Sequence, residues 1–321
     1  MTFSVSVVIP AFNVENFIEK AIKSALQQPE VNEVVVVNDG STDNTLQILE
    51  NLKNSDSKIK VYHHENKSNK GRSASRNLGI LKASDNFIAF LDADDFYLNS
   101  RFKNDEAIFK NNKNIDGVYN AVGFELYREV TESELGKHKL STVTKRINPD
   151  ELFEAIVSSK YGYLHLNGLT IKKTVFDTVG LFNESLVVAE DSDIIFKMAL
   201  KCKLESGIID EPIASRGIHE DNIFTREDLY KKYNVKLFES LVNWSCKNGI
   251  SLKNIDTLLN WLWFFKFKET NSLIAYLFYW IYLFWRNPKL LFSKLGVKYF
   301  PLVRLRQKLF SFLYNHKQVK S

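Results

Sequence analysis

Cysteine is nearly absent from this sequence: Cys202 and Cys246 are the only two, far apart and with no histidine near either. A disulfide scaffold and a cysteine-based zinc site are thereby excluded, and two buried free thiols are expected. Proline and glycine, at 6 and 13 residues in 321, are too few for a fibrous or low-complexity chain. No Walker pattern and no GxGxxG follows an apolar run, so neither of the usual glycine-rich phosphate cradles is available. The run LIAYLFYWIYLFW, Leu273 to Trp285, has 13 residues and would measure about 20 Å as a helix. A membrane span needs roughly 20 residues, so this run is too short to cross. No basic leader or signal-type apolar stretch precedes the first strand, from which a cytoplasmic location is expected.

What is present is globular in composition, 45% hydrophobic and 25% charged, and long enough for about two domains. The net charge of +5 is unevenly spread. From Thr270 to Ser321 there are nine Lys and Arg and no acidic residue, which leaves the rest of the chain at −4. An anionic partner therefore belongs to the tail.

The first half alternates strand and helix. Val5–Ile9 is an apolar strand, followed by a face of Phe17, Ile18, Ala21, Ile22, Ala25 and Leu26 at helical spacing. Val34–Val37 is a second strand; Asn38–Asp43 then breaks the chain and offers hydroxyl caps to a helix bearing Leu46, Leu49 and Leu52. Ile59–Tyr62 is a third strand, and a helix beginning near Gly71 follows. This order predicts a mostly parallel central sheet flanked by helices, with ligands at the carboxyl ends of its strands. Farther on, Val118–Leu126 reads as one strand, Tyr127–Asn148 as a polar excursion, Glu190 onward as a helix with acids suited to its dipole, and Pro212–His219 as a strand.

The fourth strand, Phe87–Leu91, ends in Asp92-Ala93-Asp94-Asp95. Three carboxylates at a strand end repel one another unless a cation sits among them. Alone, such a tetrapeptide reads as a solvated acidic turn. With Asp39 and other chain breaks at the same sheet edge, a divalent cation carrying a polyphosphate explains it better.

Taken together, SVVIPAFNVENFIEKAIKSALQQ, VVVVNDGSTDNT, NKGRSASRNLGI, FIAFLDADD, VGLFNESLVVAEDSDIIFKMAL and RGIHEDN resemble, in order, the motifs of the family 2 glycosyltransferases. These are inverting enzymes with the A-type nucleotide-sugar-binding fold. The resemblance covers residues 4 to 224, with Phe12 standing where tyrosine is common, and Ser75, Ser84 and Lys197 as further departures. It implies a nucleotide-sugar donor, with UDP favoured, contacted by Pro10, Phe12, Glu15 and Asp39 in the first two loops. It assigns Asp92, Ala93 and Asp94 to a DxD motif holding Mn2+ or Mg2+, and Asp191 to the general base. His219 either completes the metal shell or packs, and Arg76 either assists the phosphates or ties its helix to the sheet.

The expected organisation is a nucleotide-sugar half (1–115), an acceptor half of the same domain (116–225) and a C-terminal α-helical extension (226–321). The extension mixes aromatic and basic residues, and Leu302, Val303, Leu305, Leu309, Phe310 and Leu313 add a stripe. Such helices either lie in a lipid headgroup region or pack back on the catalytic domain. Lying on the cytoplasmic face of the inner membrane suits a glycan or lipid-linked acceptor. Nucleic acid is excluded, because the basic residues border a greasy face rather than a polar groove. A processive synthase would need spans and a QxxRW motif. A sugar nucleotidyltransferase would need a glycine-rich basic loop where PAFNVEN stands, and a catalytically inactive membrane adaptor would keep the fold without the activity.

Overall fold

Val5–Ala11, buried at every position, is the central strand β1 of a seven-stranded sheet in the computed structural model. Residues 3–129, 140–219, 227–267 and 272–305 are described. Helix α1 (Ile18–Leu26) buries Ile18, Ala21, Ile22 and Ala25, as the helical spacing predicts. Strand β2 (Val31–Asn38), helix α2 (Thr45–Ser55), strand β3 (Ile59–His63), helix α3 (Arg72–Lys82) and strand β4 (Phe87–Phe90) follow. Strands β1, β2, β3 and β4 are mutually parallel. Their unbroken valine and isoleucine runs fit a sheet covered on both faces. Helix α3 approaches β1 closely because Gly79 carries no side chain there; a Cβ would lie 2.4 Å from Val8 Cγ1.

Beyond the acidic turn come strand β5 (Phe96–Tyr97), helix α4 (Lys103–Asn111), and strands β6 (Gly117–Tyr119) and β7 (Val122–Leu126). The single strand expected over Val118–Leu126 is thus two, in different sheets. Asn120 marks the break: its side chain bonds Asp105, the Gly168 carbonyl and the Ile208 amide. Helix α5 (Leu152–Val157), strand β8 (Leu169–Lys172), helix α6 (Val175–Val179), helix α7 (Glu190–Lys201), and strands β9 (Leu204–Ser206) and β10 (Ala214–Ile218) complete the unit. The large sheet runs β3-β2-β1-β4-β8-β6-β9, with β8 antiparallel to both neighbours; β5, β10 and β7 form a small second sheet. The expected hydroxyl caps of α2 are absent: Ser41 Oγ and Thr45 Oγ1 instead accept the amides of Asn13 and Val14.

The chain divides into two units, Met1–Tyr230 and Lys231–Ser321. Helix α8 (Glu227–Lys247) carries the chain across this division. In the second unit, helices α9 (Leu252–Phe267), α10 (Leu273–Trp285), α11 (Pro288–Leu291), α12 (Lys294–Lys298) and α13 (Pro301–Arg304) pack on one another. Trp263 is their centre, with the rings of Tyr279, Phe284 and Tyr299 around it. Tyr299 Oη donates to Asp256, and Tyr279 and Tyr282 donate to Glu239. Among the described residues no helix is long and apolar enough to cross a membrane. The expected apolar stripe lies outside the described residues beyond Leu305. Both cysteines are free; Cys202 is buried and Cys246 only partly so.

Candidate active site

The loops after β1 and β2 are stitched together by their own side chains. Thr42 N donates to Asn13 Oδ1 at 2.8 Å, and Glu15 N to Asp43 Oδ2 at 3.1 Å. Glu15 returns the contact, accepting from Asn44 N at 2.9 Å and Asn44 Nδ2 at 2.7 Å. Glu15, expected at the nucleotide, therefore spends its carboxylate on this clamp and does not line the cavity. Asp39 is buried and takes the amides of Lys70 (2.6 Å) and Gly71 (2.8 Å), one on each oxygen, which fixes the entry to α3. Oδ1 also lies 3.5 Å from His64 Nε2, while Oδ2 keeps a second lone pair.

Helix α3 carries Arg72, Arg76 and Asn77, and all three reach a segment more than a hundred residues away. Asn77 bonds both the amide and the carbonyl of Phe182 and also Glu184. Arg72 donates to the Val187 carbonyl at 3.2 Å and pairs with Glu190 at 3.3 Å. Arg76, buried, donates Nη1 to Glu190 Oε1 at 2.9 Å and Nη2 to Asp92 Oδ1 at 2.6 Å. Glu190, expected only to complement the dipole of α7, is thus a buried partner of two arginines. Ala189, just before it, holds a left-handed φ of 63°, a conformation costly for a residue with a Cβ. That bend is imposed by the anchored segment and starts α7 at the cavity wall.

At the acidic turn each carboxylate has a different role. Asp92 faces Arg76. Asp94 Oδ2 lies 2.9 Å from His219 Nε2, with both side chains partly exposed, at 28% and 17%. Phe17 stacks on the His219 ring at 5.1 Å. Asp95 is buried and accepts from Gly217 N at 2.8 Å and from Asn167 Nδ2. Gly217 has no room for more: a Cβ would sit 2.5 Å from the Asp94 carbonyl oxygen. Asn167 also accepts from Asp92 N at 3.2 Å, so one buried amide brackets the turn. Behind it, Arg101 donates to the carbonyls of Asn167 and Leu169 and to Asp105.

Electrostatics follow from these contacts. Burial pushes the Asp92 carboxyl up, but Arg76, aided by His165 and Arg72, outweighs it and holds it at about 2. Burial drives Asp95 well above the usual carboxylate range, and the charges of Asp94 and Asp92 add to this. Burial also raises Glu190 despite Arg72 and Arg76. His165 is lowered to about 4 by burial and by Arg216, against Asp92 and Asp191.

One cavity of about 890 Å³ gathers these groups. Pro10, Phe12, Asp39, Arg76, Asp92, Ala93, Asp94, Asp191 and His219 line it, which is every expected site residue except Glu15. Phe12 is 46% exposed and lines the cavity. Asp191, in the first turn of α7, accepts the Ser192 amide at 2.7 Å. His165, Tyr163, Arg216 and Tyr230 line the cavity too; composition and periodicity mark none of them. Of the two acid-and-histidine sets at the turn, only the one that takes in Asp95 and His165 is, among the described residues, close enough to hold a hard divalent cation. Asp92, Asp94 and His219 border the cavity. Asp92, Asp95 and His165 place ligand atoms within 4.8 Å of one another. The second set is the more buried, and Asp95 is already satisfied by two protein donors.

A mostly parallel sheet with an acidic turn beyond its fourth strand, facing a ligand-sized cavity, defines the A-type glycosyltransferase fold. Residues 6–148 match the sequence model described as glycosyl transferase family 2. An uncharacterized glycosyltransferase of Haemophilus influenzae is 35% identical over 100 residues, 31% of this chain and 39% of that one. Another, from Rickettsia felis, is 31% identical over 201 residues, 60% of this chain and 31% of that one. The chain therefore spans well under half the length of these relatives. The crystal structure of S. aureus TarS 1-349 in complex with UDP-GlcNAc superposes with a TM-score of 0.61 at 20% identity, over 83% of this chain and 73% of that one. The fold is shared, and residues 6–148 are similar to the family 2 glycosyltransferases.

Proposed function

We propose that this protein is an inverting hexosyltransferase that moves a sugar from a nucleoside diphosphate donor, UDP foremost, to a hydroxyl of a lipid-linked or surface-polysaccharide glycan. The observation that carries this reading is that Asp92, Asp94 and Asp191 line one cavity, of a size suited to a nucleotide-sugar. Phe12 offers a ring for the base to stack on, and Asp39 Oδ2 has a lone pair left for a ribose or base donor. Asp92 and Asp94 would hold Mn2+ or Mg2+, whose charge would stabilise the departing diphosphate. Asp191 takes the proton of the attacking hydroxyl, which reaches the anomeric carbon from the side opposite the diphosphate. One displacement inverts that centre. Arg76 and Glu190 position both sides of this arrangement and leave the chemistry to Asp191. The second unit brings the enzyme to the cytoplasmic face of a membrane, where a lipid-linked acceptor lies.

Thermal unfolding with a panel of nucleotide-sugars, with and without Mn2+, tests the donor assignment, since a bound ligand stabilises by mass action. A UDP-sugar should raise Tm in a Mn2+-dependent way. No shift with any nucleotide-sugar contradicts the assignment.

A further inference from the structure

We infer that one face of α10 is the membrane-contacting surface and that its partner is a bilayer bearing anionic headgroups. This rests on the reading of the second unit as membrane-associating and specifies where and how it binds. Helix α10 has no charged residue among its 13. Tyr279, Leu283 and Phe284 turn inward, whereas Ile274 (67% exposed), Phe278 (68%), Ile281 (44%) and Trp285 (75%) stand outward. Their spacing of four, three and four places them on one stripe along three turns. Soluble monomers rarely leave so large a contiguous apolar face open to water.

Charge selects the occupant. Residues 270–321 carry nine cations and no acid, and Arg286, Lys289 and Lys294 are exposed just beyond the C-terminal end of the stripe. A second copy seated on this face would set like charges against each other, whereas anionic headgroups meet them with opposite charge. The helix is too short to span. Lying in the headgroup plane, it buries the stripe among acyl chains with Trp285 at the interface, a position that suits an indole.

The test uses the full chain and co-sedimentation with vesicles of phosphatidylcholine alone or mixed with phosphatidylglycerol. Binding is expected to the mixed vesicles, to weaken with added salt, and to fall at least about tenfold in Phe278→Ser/Trp285→Ser, whose positions are exposed enough to spare the fold. Brominated acyl chains should quench tryptophan emission in the native protein and quench it less in Trp285→Phe. Equal binding by native protein and double variant, or absence of binding to mixed vesicles, overturns the inference. So does a dimer in light scattering that Phe278→Ser/Trp285→Ser dissociates. Donor binding without lipid is measured separately, so loss of vesicle binding alone leaves the transferase reading intact, and loss of donor binding alone leaves this one.

Discussion

Arg76 donates to Glu190 at 2.9 Å from a helix that lies 114 residues earlier in the chain. The same guanidinium donates to Asp92 at 2.6 Å, so a single buried cation joins the acidic turn to the residue preceding Asp191. The two carboxylate groups that the proposed reaction sets on either side of a sugar are thereby referenced to one side chain. Arg76 forms a tie that reaches across the site rather than only from helix to sheet, and it lines the cavity as well.

Replacing Arg76 leaves two carboxylates uncompensated. Arg76→Ala is expected to cost about 3 kcal/mol or more, because breaking a buried pair strands its partner charges. Arg76→Lys should recover only part of this, since an ammonium cannot fork between two carboxylates. Urea unfolding midpoints of the three proteins check the order; equal midpoints would remove the tie from the account.

Asn167 brackets the acidic turn from below. Asn167→Leu removes the donor to Asp95 and the acceptor of the Asp92 amide, leaving buried polar groups unpaired at about 2 kcal/mol. The turn should loosen, so donor KM is expected to rise severalfold while Asp191, on another element, is untouched. Steady-state kinetics with saturating acceptor measures this, and an unchanged KM contradicts the bracket.

His165 sets a pH dependence of stability. Its ring, faced by Arg216 and Arg76 and by Asp92 and Asp191, is lowered from 6.5 to about 4. In the folded protein it stays neutral while the unfolded chain already binds a proton. Its contribution is therefore complete above pH 6.5 and is lost as pH falls towards 4, by up to about 3 kcal/mol. His165→Gln should flatten the fall in Tm across that window. Parallel Tm curves for the two proteins would refute it.

The half of the fold built on β1 to β4 was legible because strands buried on both faces are written as unbroken apolar runs, and α1 because its face repeats at helical spacing. Asp92 and Asp94 were legible because three crowded carboxylates demand an explanation. Nothing local shows that Asn44, on the neighbouring loop, claims the oxygens of Glu15, a residue expected at the nucleotide. Asn167 and His165 carry no local signal: their meaning comes from Asp95 and Asp92, some seventy residues away, which only the fold brings together. The division of Val118–Leu126 was hidden for a similar reason, since apolarity alone does not say that Asn120 is needed by Asp105.

The central claim is that the acidic turn holds the donor while Asp191 acts on the acceptor. Measuring UDP binding with Mn2+ and sugar-transfer rate side by side, in Asp191→Asn and Asp94→Asn, separates the two roles. Asp191→Asn should bind UDP as the native protein does and transfer about a thousandfold more slowly, within the range general-base loss produces. Asp94→Asn should lose Mn2+-dependent binding itself. Full transfer by Asp191→Asn, or undiminished Mn2+-dependent binding by Asp94→Asn, would contradict the account.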